Sequence, residues 1–229
     1  NVNNGQRFPL FFIIFRELFN ILQDEDKVVA IFKSVKIDLL QILPENNRSK
    51  DNLIELLENY SLTFLQPMFR LQSQLLKQIK IQPNPQHFYK WIKDNVDESF
   101  YKDASFIHVL VTVILQYIIK ETAADAQEAS TLLDRFKSVL QFFLEDQIDL
   151  QVIAIYSLQE YFYLHKIPKG SLLKWFVLLF NLEIVDGEAL LKWKDDINDN
   201  FDGKGEALFE VSHWLTTWLQ AVLAETEDE

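Results

Sequence analysis

The sequence predicts an all-α fold of antiparallel helix pairs stacked side by side. Apolar residues recur at helical spacing along nearly the whole chain, and no segment shows the alternation typical of a strand. Only 5 Gly and 6 Pro interrupt the 229 residues, and helix pairs repeat about every 40 residues, which is typical of HEAT-like repeats. The predicted helices are 8–22, 25–43, 50–59, 62–81, 85–96, 103–121, 128–146, 148–166, 170–181, 187–199 and 205–224.

In the amino-terminal half, polar and proline-containing segments separate the predicted helices. The segment 44–49 begins with proline, while Pro83 and Pro85 end one helix and begin the next. Pro67 lies inside the apolar pattern of 62–81. Because proline lacks the amide N–H that a helix interior requires, it predicts either a kink or the first turn of that helix.

In the carboxyl-terminal half, one predicted helix is nearly all apolar. Helix 103–121 carries a single narrow polar stripe of residues four apart, so we expect it to be buried between neighbouring helices. The segment 122–129 predicts a surface loop or a frayed helix start, and 167–170, which contains Pro and Gly, ends the helix before it. The polar stripe consists of His108, Thr112, Gln116 and Lys120.

Composition excludes several classes of protein. The absence of cysteine excludes disulfides and thiolate metal sites and fits a reducing compartment. The longest strongly apolar stretch, 106–119, has 14 residues, fewer than the roughly 20 that span a bilayer, so we expect no membrane segment. The four histidines lack metal or triad spacing, and GKG at 203–205 lacks the surroundings of a phosphate loop. We therefore expect no enzyme, metal or cofactor. Because the chain begins at Asn1 rather than methionine, we also expect a piece of a longer protein.

Negative charge is concentrated at the carboxyl-terminal end. The formal net charge is −12, and residues 181–229 contain 13 acids against 3 lysines, a net of −10. A helix carboxyl terminus disfavours acids because it carries partial negative charge. The last helix nevertheless runs into Glu225, Glu227, Asp228 and Glu229. This distribution argues against nucleic acid as a partner of this end and favours a basic protein surface.

The last two predicted helices are amphipathic, with aromatic residues on one face and acids on the other. The expected core-facing residues are Leu190, Trp193, Ile197, Phe201, Val211, Trp214, Leu215 and Trp218, and the acids expected to face outward are Glu188, Asp195, Asp196, Asp199 and Glu210. We interpret the aromatic residues as anchors that hold out an acidic binding surface. The alternative is a solvated face that is acidic only for solubility.

A basic stretch in the middle of the chain offers an alternative function. No acid occurs between Glu58 and Asp94, and aromatic residues are interleaved with the bases there. Such a pattern would suit RNA, through phosphate contacts and stacking. We favour the more common explanation, in which the bases lie on solvated helix faces while the aromatic residues fill the core. The candidate RNA-binding residues are Arg70, Lys77, Lys80, Lys90 and Lys93.

Several stretches resemble one family of proteins. LLKWKDD (190–196) and HWLTTWLQAVLAETEDE (213–229) resemble the two aromatic-acidic boxes of the W2 domain, the carboxyl-terminal HEAT-like module of several translation initiation factors. LLKQIKIQPNPQHFYKWIKDN (75–95) and DGKGEALFEVSHWL (202–215) are similar to the initiation factor 4G family, in particular to its short, death-associated branch. The resemblance runs along essentially the whole chain. It implies that residues from 46 to 229 form the W2 domain and that residues 1–45 end, or follow, a preceding MA3 domain.

The resemblance also implies a function. Family members are non-catalytic scaffolds in a larger cytoplasmic translation initiation complex, on messages with little dependence on the cap-binding protein. Their W2 domains dock a MAP-kinase-interacting kinase or the lysine-rich segment of the β subunit of initiation factor 2. Guanine-nucleotide exchange, which some W2 proteins perform, is a further alternative. The partner-binding residues expected here are Asp186, Glu188, Trp193, Asp195, Asp196, Asp199, Trp214, Trp218, Glu225, Glu227, Asp228 and Glu229.

The two boxes depart from the family pattern at three places. The first box usually has an aromatic residue where Leu190 stands and an acid where Gly187 stands. In the second box the family's acids follow Trp-Leu almost directly, whereas QAVLA intervenes here before Glu225. The pair Thr216-Thr217 carries one extra residue, so we expect the tryptophan register to be shifted on one side of it.

Overall fold

The computed structural model describes residues 4–35, 37, 39–122, 126–197 and 201–227, with side chains described up to residue 218 except at a few positions. These residues form α-helices and short 3-10 helices and contain no strand, which confirms the predicted all-α class. The α-helices are α1 (Asn4–Leu22), α2 (Glu25–Ser34), α3 (Leu39–Ile42), α4 (Lys50–Asn59), α5 (Pro67–Ile81), α6 (Pro85–Asn95), α7 (Ala104–Glu121), α8 (Ala126–Leu144), α9 (Ile148–Leu164), α10 (Ser171–Asn181), α11 (Gly187–Asp195) and α12 (Lys204–Glu227).

Most predicted helices are observed within a few residues of their expected ends. The predicted helix 25–43 is wrong in one respect, because it is observed as two helices, α2 and α3. The predicted helix 62–81 begins with a separate 3-10 turn, Thr63–Leu65, and α5 starts at Pro67. The first-turn prediction for this proline is therefore confirmed. The fixed φ of proline suits the first position of a helix, where the missing N–H needs no partner.

The predicted helix 187–199 is too long at its carboxyl end. α11 ends at Asp195, and Asp196 is extended, with φ −72° and ψ 135°. Ile197 therefore leaves the helical face on which it was expected, and it is 91% exposed. The expectation that Ile197 faces the core is wrong. Phe201 keeps a partner, since its ring stacks on that of Tyr156 with centroids 4.8 Å apart.

Side-chain caps encoded in the sequence fix several helix starts. Ser49, Asn84 and Asp103 stand immediately before α4, α6 and α7, and each accepts a hydrogen bond from a backbone N–H of the first turn. These bonds satisfy N–H groups that have no partner inside the helix. α10 is different: Gly170 precedes it with φ +87° and offers no capping side chain.

The chain folds into two compact units, Asn1–Gln74 and Leu75–Glu229. In the first unit, α1 to α4 close around a core of phenylalanine, valine and leucine side chains. Phe12, Val28, Leu43 and Leu57 are all fully buried there or nearly so. This core joins side chains from both sides of the 45/46 boundary that the resemblance implies.

In the second unit, α9 is the central helix. Among the described helices, α7 and α9 form the most extensive packing contact, and α9 and α11 form the next most extensive one. Side chains on all sides of α9 are buried. Val111 of α7, Leu140 of α8, Ala154 of α9 and Leu179 of α10 surround one small apolar void, so these four helices share a core. α11 is attached to this core through α9.

α7 alone, among the described helices, is long and apolar enough to cross a membrane. It has 18 residues, more than the 14-residue stretch considered above, and nine of its apolar side chains are buried in the second unit. This apolar composition is that of a central core helix. The predicted polar stripe is observed: His108, Thr112 and Gln116 are half-buried and Lys120 is exposed. The His108 ring lies 3.0 Å from the hydroxyl of Ser157 on α9.

Candidate protein-docking surface

Trp193 anchors α11 to the core. Its side chain is fully buried, as expected, and its indole N–H donates a 2.9 Å hydrogen bond to Gln159 on α9. The ring packs edge-on against Phe176, with centroids 4.9 Å apart. Burial of a tryptophan requires a partner for the indole N–H, and a buried glutamine supplies it here.

Two buried glutamines of α9 hold the two ends of the α11 segment. Gln159 also donates to the backbone carbonyl of Asp202, at 2.7 Å, just before α12. Gln151 donates to the Asp186 carboxylate at 2.8 Å and accepts the Asp186 backbone N–H at 2.7 Å, at the start of α11. Sequence reasoning missed both residues. The available signal was a pair of glutamines, eight residues apart, on a predominantly apolar helix.

The acids of the first box lie on the surface. Asp186, Glu188, Asp195 and Asp196 are all exposed, and we call this set the acidic face of α11. Asp186 is oriented by Gln151, and Asp196 accepts a 3.0 Å hydrogen bond from the hydroxyl of Tyr156. Within the part of the chain that the structure describes, none of the four forms an ion pair with a lysine, arginine or histidine. Their charge is therefore available to a cationic partner.

Two lysines near the acidic face of α11 interact with other groups, so they neutralise its negative charge only in part. Lys192 pairs with Asp149 at 2.5 Å, and this hydrogen bond raises the pKa of Lys192. The Lys204 ammonium lies 3.8 Å above the centroid of the Trp193 indole and donates to the backbone carbonyl of Trp193. Burial lowers the pKa of Lys204 to about 8, while Asp196 and Asp195 act in the opposite direction. Lys204 is thus one internal counter-charge that acts on Asp196 and Asp195.

The tryptophans of the second box are at the edge of the core rather than inside it. Trp214 and Trp218 are half-buried and stack on each other, with centroids 6.5 Å apart. Both pack edge-on against Phe180 of α10. The expected deep anchoring is supplied by smaller residues of the same face, Val211 and Leu215, which are fully buried.

The register of the second box is that of one continuous helix. α12 runs without a break from Lys204 to Glu227, and the hydroxyls of Thr216 and Thr217 donate to the backbone carbonyls four residues earlier. The helix has no break at this pair, and the expected shift of the tryptophan register stays a prediction. The side chains of Glu225 and Glu227 lie outside the described residues, as do Asp199, Asp228 and Glu229 entirely.

α12 runs past α11 in the opposite sense. Its first residue, Lys204, contacts Trp193 near the carboxyl end of α11, whereas Trp218 lies against Gly187 at the amino end of α11. These two positions on α12 are about 20 Å apart along the helix axis. The amino end of α11 therefore lies beside Trp218 of the second box, and its carboxyl end lies beside the start of α12. At one end, Asp195 and Asp196 border a groove of 480 Å³ beside the start of α12.

Glu210 has a structural role that the helical wheel did not predict. It was expected on the solvent side of α12, but it is half-buried and accepts a 3.1 Å hydrogen bond from the backbone N–H of Leu173. Leu173 lies in the first turn of α10, after Gly170, so Glu210 caps α10 from another helix. A carboxylate at a helix amino terminus is favourable because that end carries partial positive charge.

The basic residues of this stretch differ in their ion-pair partners and in the compact unit to which they belong. Arg70 belongs to the first unit and lies 3.9 Å from Glu58, whereas Lys93 pairs with Glu98 at 2.7 Å. The hydrogen bond to Glu98 raises the pKa of Lys93. Phe88 is fully buried, and Tyr89 packs edge-on against Phe142, so these aromatic rings are used for packing. Lys77, Lys80 and Lys90 are exposed.

A helical stack that ends in an aromatic-anchored acidic helix pair agrees with the arrangement that the resemblance to W2 domains implies. Residues 150–229 match the family model described as W2, eIF4-gamma/eIF5/eIF2-epsilon. The whole chain is 41% identical to eukaryotic translation initiation factor 4 gamma 2 of Mus musculus and of Homo sapiens, and it covers 26% of those proteins. It is 22% identical to human factor 4 gamma 3 over 94% of the chain and 15% of that protein. It is also 22% identical to the eIF5-mimic protein 1 of Danio rerio, over 90% of the chain and 52% of that protein.

The chain is therefore similar over its full length to part of the initiation factor 4 gamma proteins, and its last 80 residues match the W2 family model. It spans about a quarter of the length of the factor 4 gamma 2 relatives that it matches. No enzyme family is indicated by these comparisons.

Proposed function

We propose that this chain is a non-catalytic docking module of a translation initiation scaffold and that the acidic face of α11 captures a basic segment of a partner protein. The observation that carries the proposal is the exposure of Asp186, Glu188, Asp195 and Asp196 without an internal ion pair among the described residues. Trp193 and the glutamines of α9 hold the helix rigidly, so the acids are presented without a further ordering cost. Capture by such a surface is fast and salt-sensitive.

The identity of the partner is part of the proposal. The homology to initiation factors supports two partners, the MAP-kinase-interacting kinase and the lysine-rich segment of the β subunit of initiation factor 2, within a cytoplasmic initiation complex. The higher identity to factor 4 gamma 2, 41% against 22% for factor 4 gamma 3, supports the short branch of the family. A W2 domain beginning at residue 46 after an MA3 segment is likewise proposed.

Charge reversal on the acidic face tests this function. Glu188 and Asp195 are suitable positions, because each is exposed and neither makes the structural hydrogen bonds of Asp186 and Asp196. The double variant Glu188→Lys, Asp195→Lys should weaken binding of the kinase, and of a lysine-rich peptide from the β subunit, by roughly tenfold or more. Fluorescence anisotropy with labelled peptide measures this affinity, and circular dichroism confirms that the fold is intact.

The matched control is Asp94→Lys, Asp134→Lys, which changes the net charge equally at exposed positions on α6 and α8. Salt screens exposed charges over a Debye length of about 8 Å, and these helices do not pack extensively on α11, so the control should bind almost as the unmodified chain does. Equal losses in both double variants would mean that total charge alone attracts the partner. Unchanged binding in the α11 variant, with an intact fold, refutes the proposal.

A further inference from the structure

Lys204 is held against the buried anchor of α11. Its ammonium group lies 3.8 Å above the centroid of the Trp193 indole and 5.0 Å from the centroid of the Tyr156 ring. It also donates a hydrogen bond to the backbone carbonyl of Trp193. A cation over an aromatic face is attracted by the negative charge of that face. These contacts fix the amine at one place, where α9, α11 and α12 meet.

The side chain of Lys204 is half-buried and also borders an open groove. Lys204 is one of the residues that line the groove of 480 Å³ beside the carboxyl end of α11. A small reagent that enters this groove therefore meets the side chain of Lys204. Among the described residues that line the groove, four acids and two lysines give a formal net charge of −2: Asp195, Asp196, Asp202, Glu206, Lys194 and Lys204.

The surroundings of Lys204 favour the uncharged amine over the ammonium ion. Burial lowers the pKa of Lys204 to about 8, although Asp196 and Asp195 act in the opposite direction. A lysine in water has a pKa of about 10.4, so very little of its amine is uncharged near neutral pH. The uncharged amine is the nucleophile in acyl transfer, because the ammonium ion has no lone pair. Lys204 thus combines a reactive amine with an open approach.

We infer that Lys204 is an acylation site and that its acylation strengthens the binding of a basic segment to the acidic face of α11. This inference rests on the proposed docking function. In the reaction, the Nζ lone pair attacks the carbonyl carbon of an acyl thioester, an amide C–N bond forms and the C–S bond breaks. The thiolate leaves with the electron pair of that bond, and the proton released by the amine passes to the thiolate or to solvent.

Acylation removes the positive charge and keeps the local contacts. The new amide retains one N–H that can donate to the Trp193 carbonyl, and its planar group can lie over the indole ring. The charge of Lys204 acts on Asp196 and Asp195, so its loss frees these carboxylates from one internal counter-charge. A cationic segment is then attracted more strongly to the carboxyl end of the acidic face of α11.

The first experiment measures whether the amine reacts. The full chain is incubated at pH 8 with the neutral thioester S-acetyl-N-acetylcysteamine, and peptide mass spectrometry follows the initial rate of acetylation of each lysine. Lys90 is the reference, because it is exposed on α6, which does not pack extensively on α11 or α12. Lys204 should be acetylated roughly threefold faster than Lys90, or more. A rate no higher than that of Lys90 overturns the acylation site.

The second experiment measures the effect of acylation on binding. Nε-acetyl-lysine is incorporated at position 204 in one protein and at position 90 in its matched control, so each loses one positive charge. Fluorescence anisotropy measures the affinity for a labelled octaarginine peptide at about 0.1 M salt, where the Debye length is about 10 Å. Acetylation at position 204 should strengthen binding roughly twofold to fivefold, whereas acetylation at position 90 should leave it almost unchanged.

Two substitutions keep the inference testable if the acetylated protein does not fold. Lys204→Gln removes the charge and should also strengthen binding, whereas Lys204→Arg keeps the charge and should not. Stronger binding only where the charge at position 204 is lost supports the inference. Unchanged or weaker binding on that loss, with an intact fold by circular dichroism, overturns it, as do equal gains at positions 204 and 90.

Failure of the docking function gives a different result. In that case the unmodified chain does not bind octaarginine, and the role of Lys204 in binding is overturned together with the docking function. A chain that binds octaarginine, but no more tightly after the charge at position 204 is lost, keeps its docking function and loses only the regulation. The acetylation rates decide the reactivity of Lys204 in either case.

Discussion

At the scale of single residues, Lys204 links the charge of the acidic face to pH. Burial lowers the pKa of this lysine from 10.5 to about 8 in the folded chain. Between these two values the unfolded chain holds the proton that the folded chain has released. The free energy of unfolding therefore contains a contribution that rises with pH over this range, since the unfolded state binds more protons. Below pH 8 the buried charge is a cost.

Lys204→Met is the corresponding prediction. Methionine keeps an apolar stem over the Trp193 ring without the ammonium, so at pH 7 the variant should be more stable by roughly 1 kcal/mol, a value reduced for the exposed part of the side chain. The difference between the two proteins should shrink as the pH rises from 8 towards 10. Urea unfolding at a series of pH values measures it. A difference that stays constant with pH would contradict a lowered pKa for Lys204.

Residue positions were predictable from the sequence only where a local pattern determines them. The burial of Trp193 followed from helical periodicity, because apolar residues around it repeat on one face of α11. The roles of Gln151 and Gln159 did not, because their partners lie 35 and 34 residues away in the chain, at Asp186 and Trp193. Ile197 was misplaced because the periodicity was extended past the end of the helix.

At the scale of helices, the start of α10 depends on α12. Gly170 adopts φ +87° and supplies no side-chain acceptor, so the first turn of α10 takes its cap from Glu210, whose carboxylate accepts the N–H of Leu173 at 3.1 Å. A capping interaction that is normally local thus joins two helices of the second unit. It fixes the position of α12 relative to α10 at one point, and Trp214 and Trp218 packing on Phe180 fix it at another.

Glu210→Ala should therefore destabilise the second unit by about 1 kcal/mol, the usual loss on removal of a helix cap. Glu210→Gln should lose less, because the amide oxygen still accepts the Leu173 N–H. Thermal unfolding followed by circular dichroism compares the two variants with the unmodified chain. Equal losses in Glu210→Ala and Glu210→Gln would show that the negative charge, rather than the hydrogen bond, makes the contribution.

The start of α6 was predicted to the residue, because Pro85 marks it. Pro67 begins α5, whereas the predicted helix started at residue 62, and the capping roles of Asn84 and Asp103 were not predicted. The division between α2 and α3 was missed because no proline or glycine marks it and the apolar spacing continues through 25–43. A break of this kind arises from packing in the folded unit, which a periodicity cannot reveal.

At the scale of the whole molecule, the two compact units differ in what they carry. The 13 acids and 3 lysines of residues 181–229 belong to the second unit, together with the W2 match. The charge imbalance was evident from the sequence. The arrangement of helices that exposes these acids was not evident from the sequence, because it depends on how α9, α11 and α12 pack. α9 carries α11, and α12 then runs back past it, with Lys204 near the carboxyl end of α11 and Trp218 near its amino end.

The W2 match at residues 150–229 and the compact unit at Leu75–Glu229 make different predictions about folding. A fragment of residues 150–229 keeps most of α9 but lacks α7, its most extensive partner, and α8. The faces of α9 that pack against these helices, including the Ala154 contact with Val111 and Leu140 around the shared void, would be exposed to water. The free energy lost by exposing this apolar surface to water exceeds the few kcal/mol of net stability typical of a domain.

We therefore expect the fragment 150–229 to lack a cooperative thermal transition and to bind a hydrophobic dye, whereas the fragment 75–229 should melt cooperatively with dispersed amide signals. Near-ultraviolet circular dichroism and ¹H–¹⁵N spectra of the two fragments, prepared side by side, make the comparison. A cooperative transition in the shorter fragment would mean that α9 to α12 are a folding unit by themselves. In that case α7 and α8 would add stability to the acidic surface without being needed to form it.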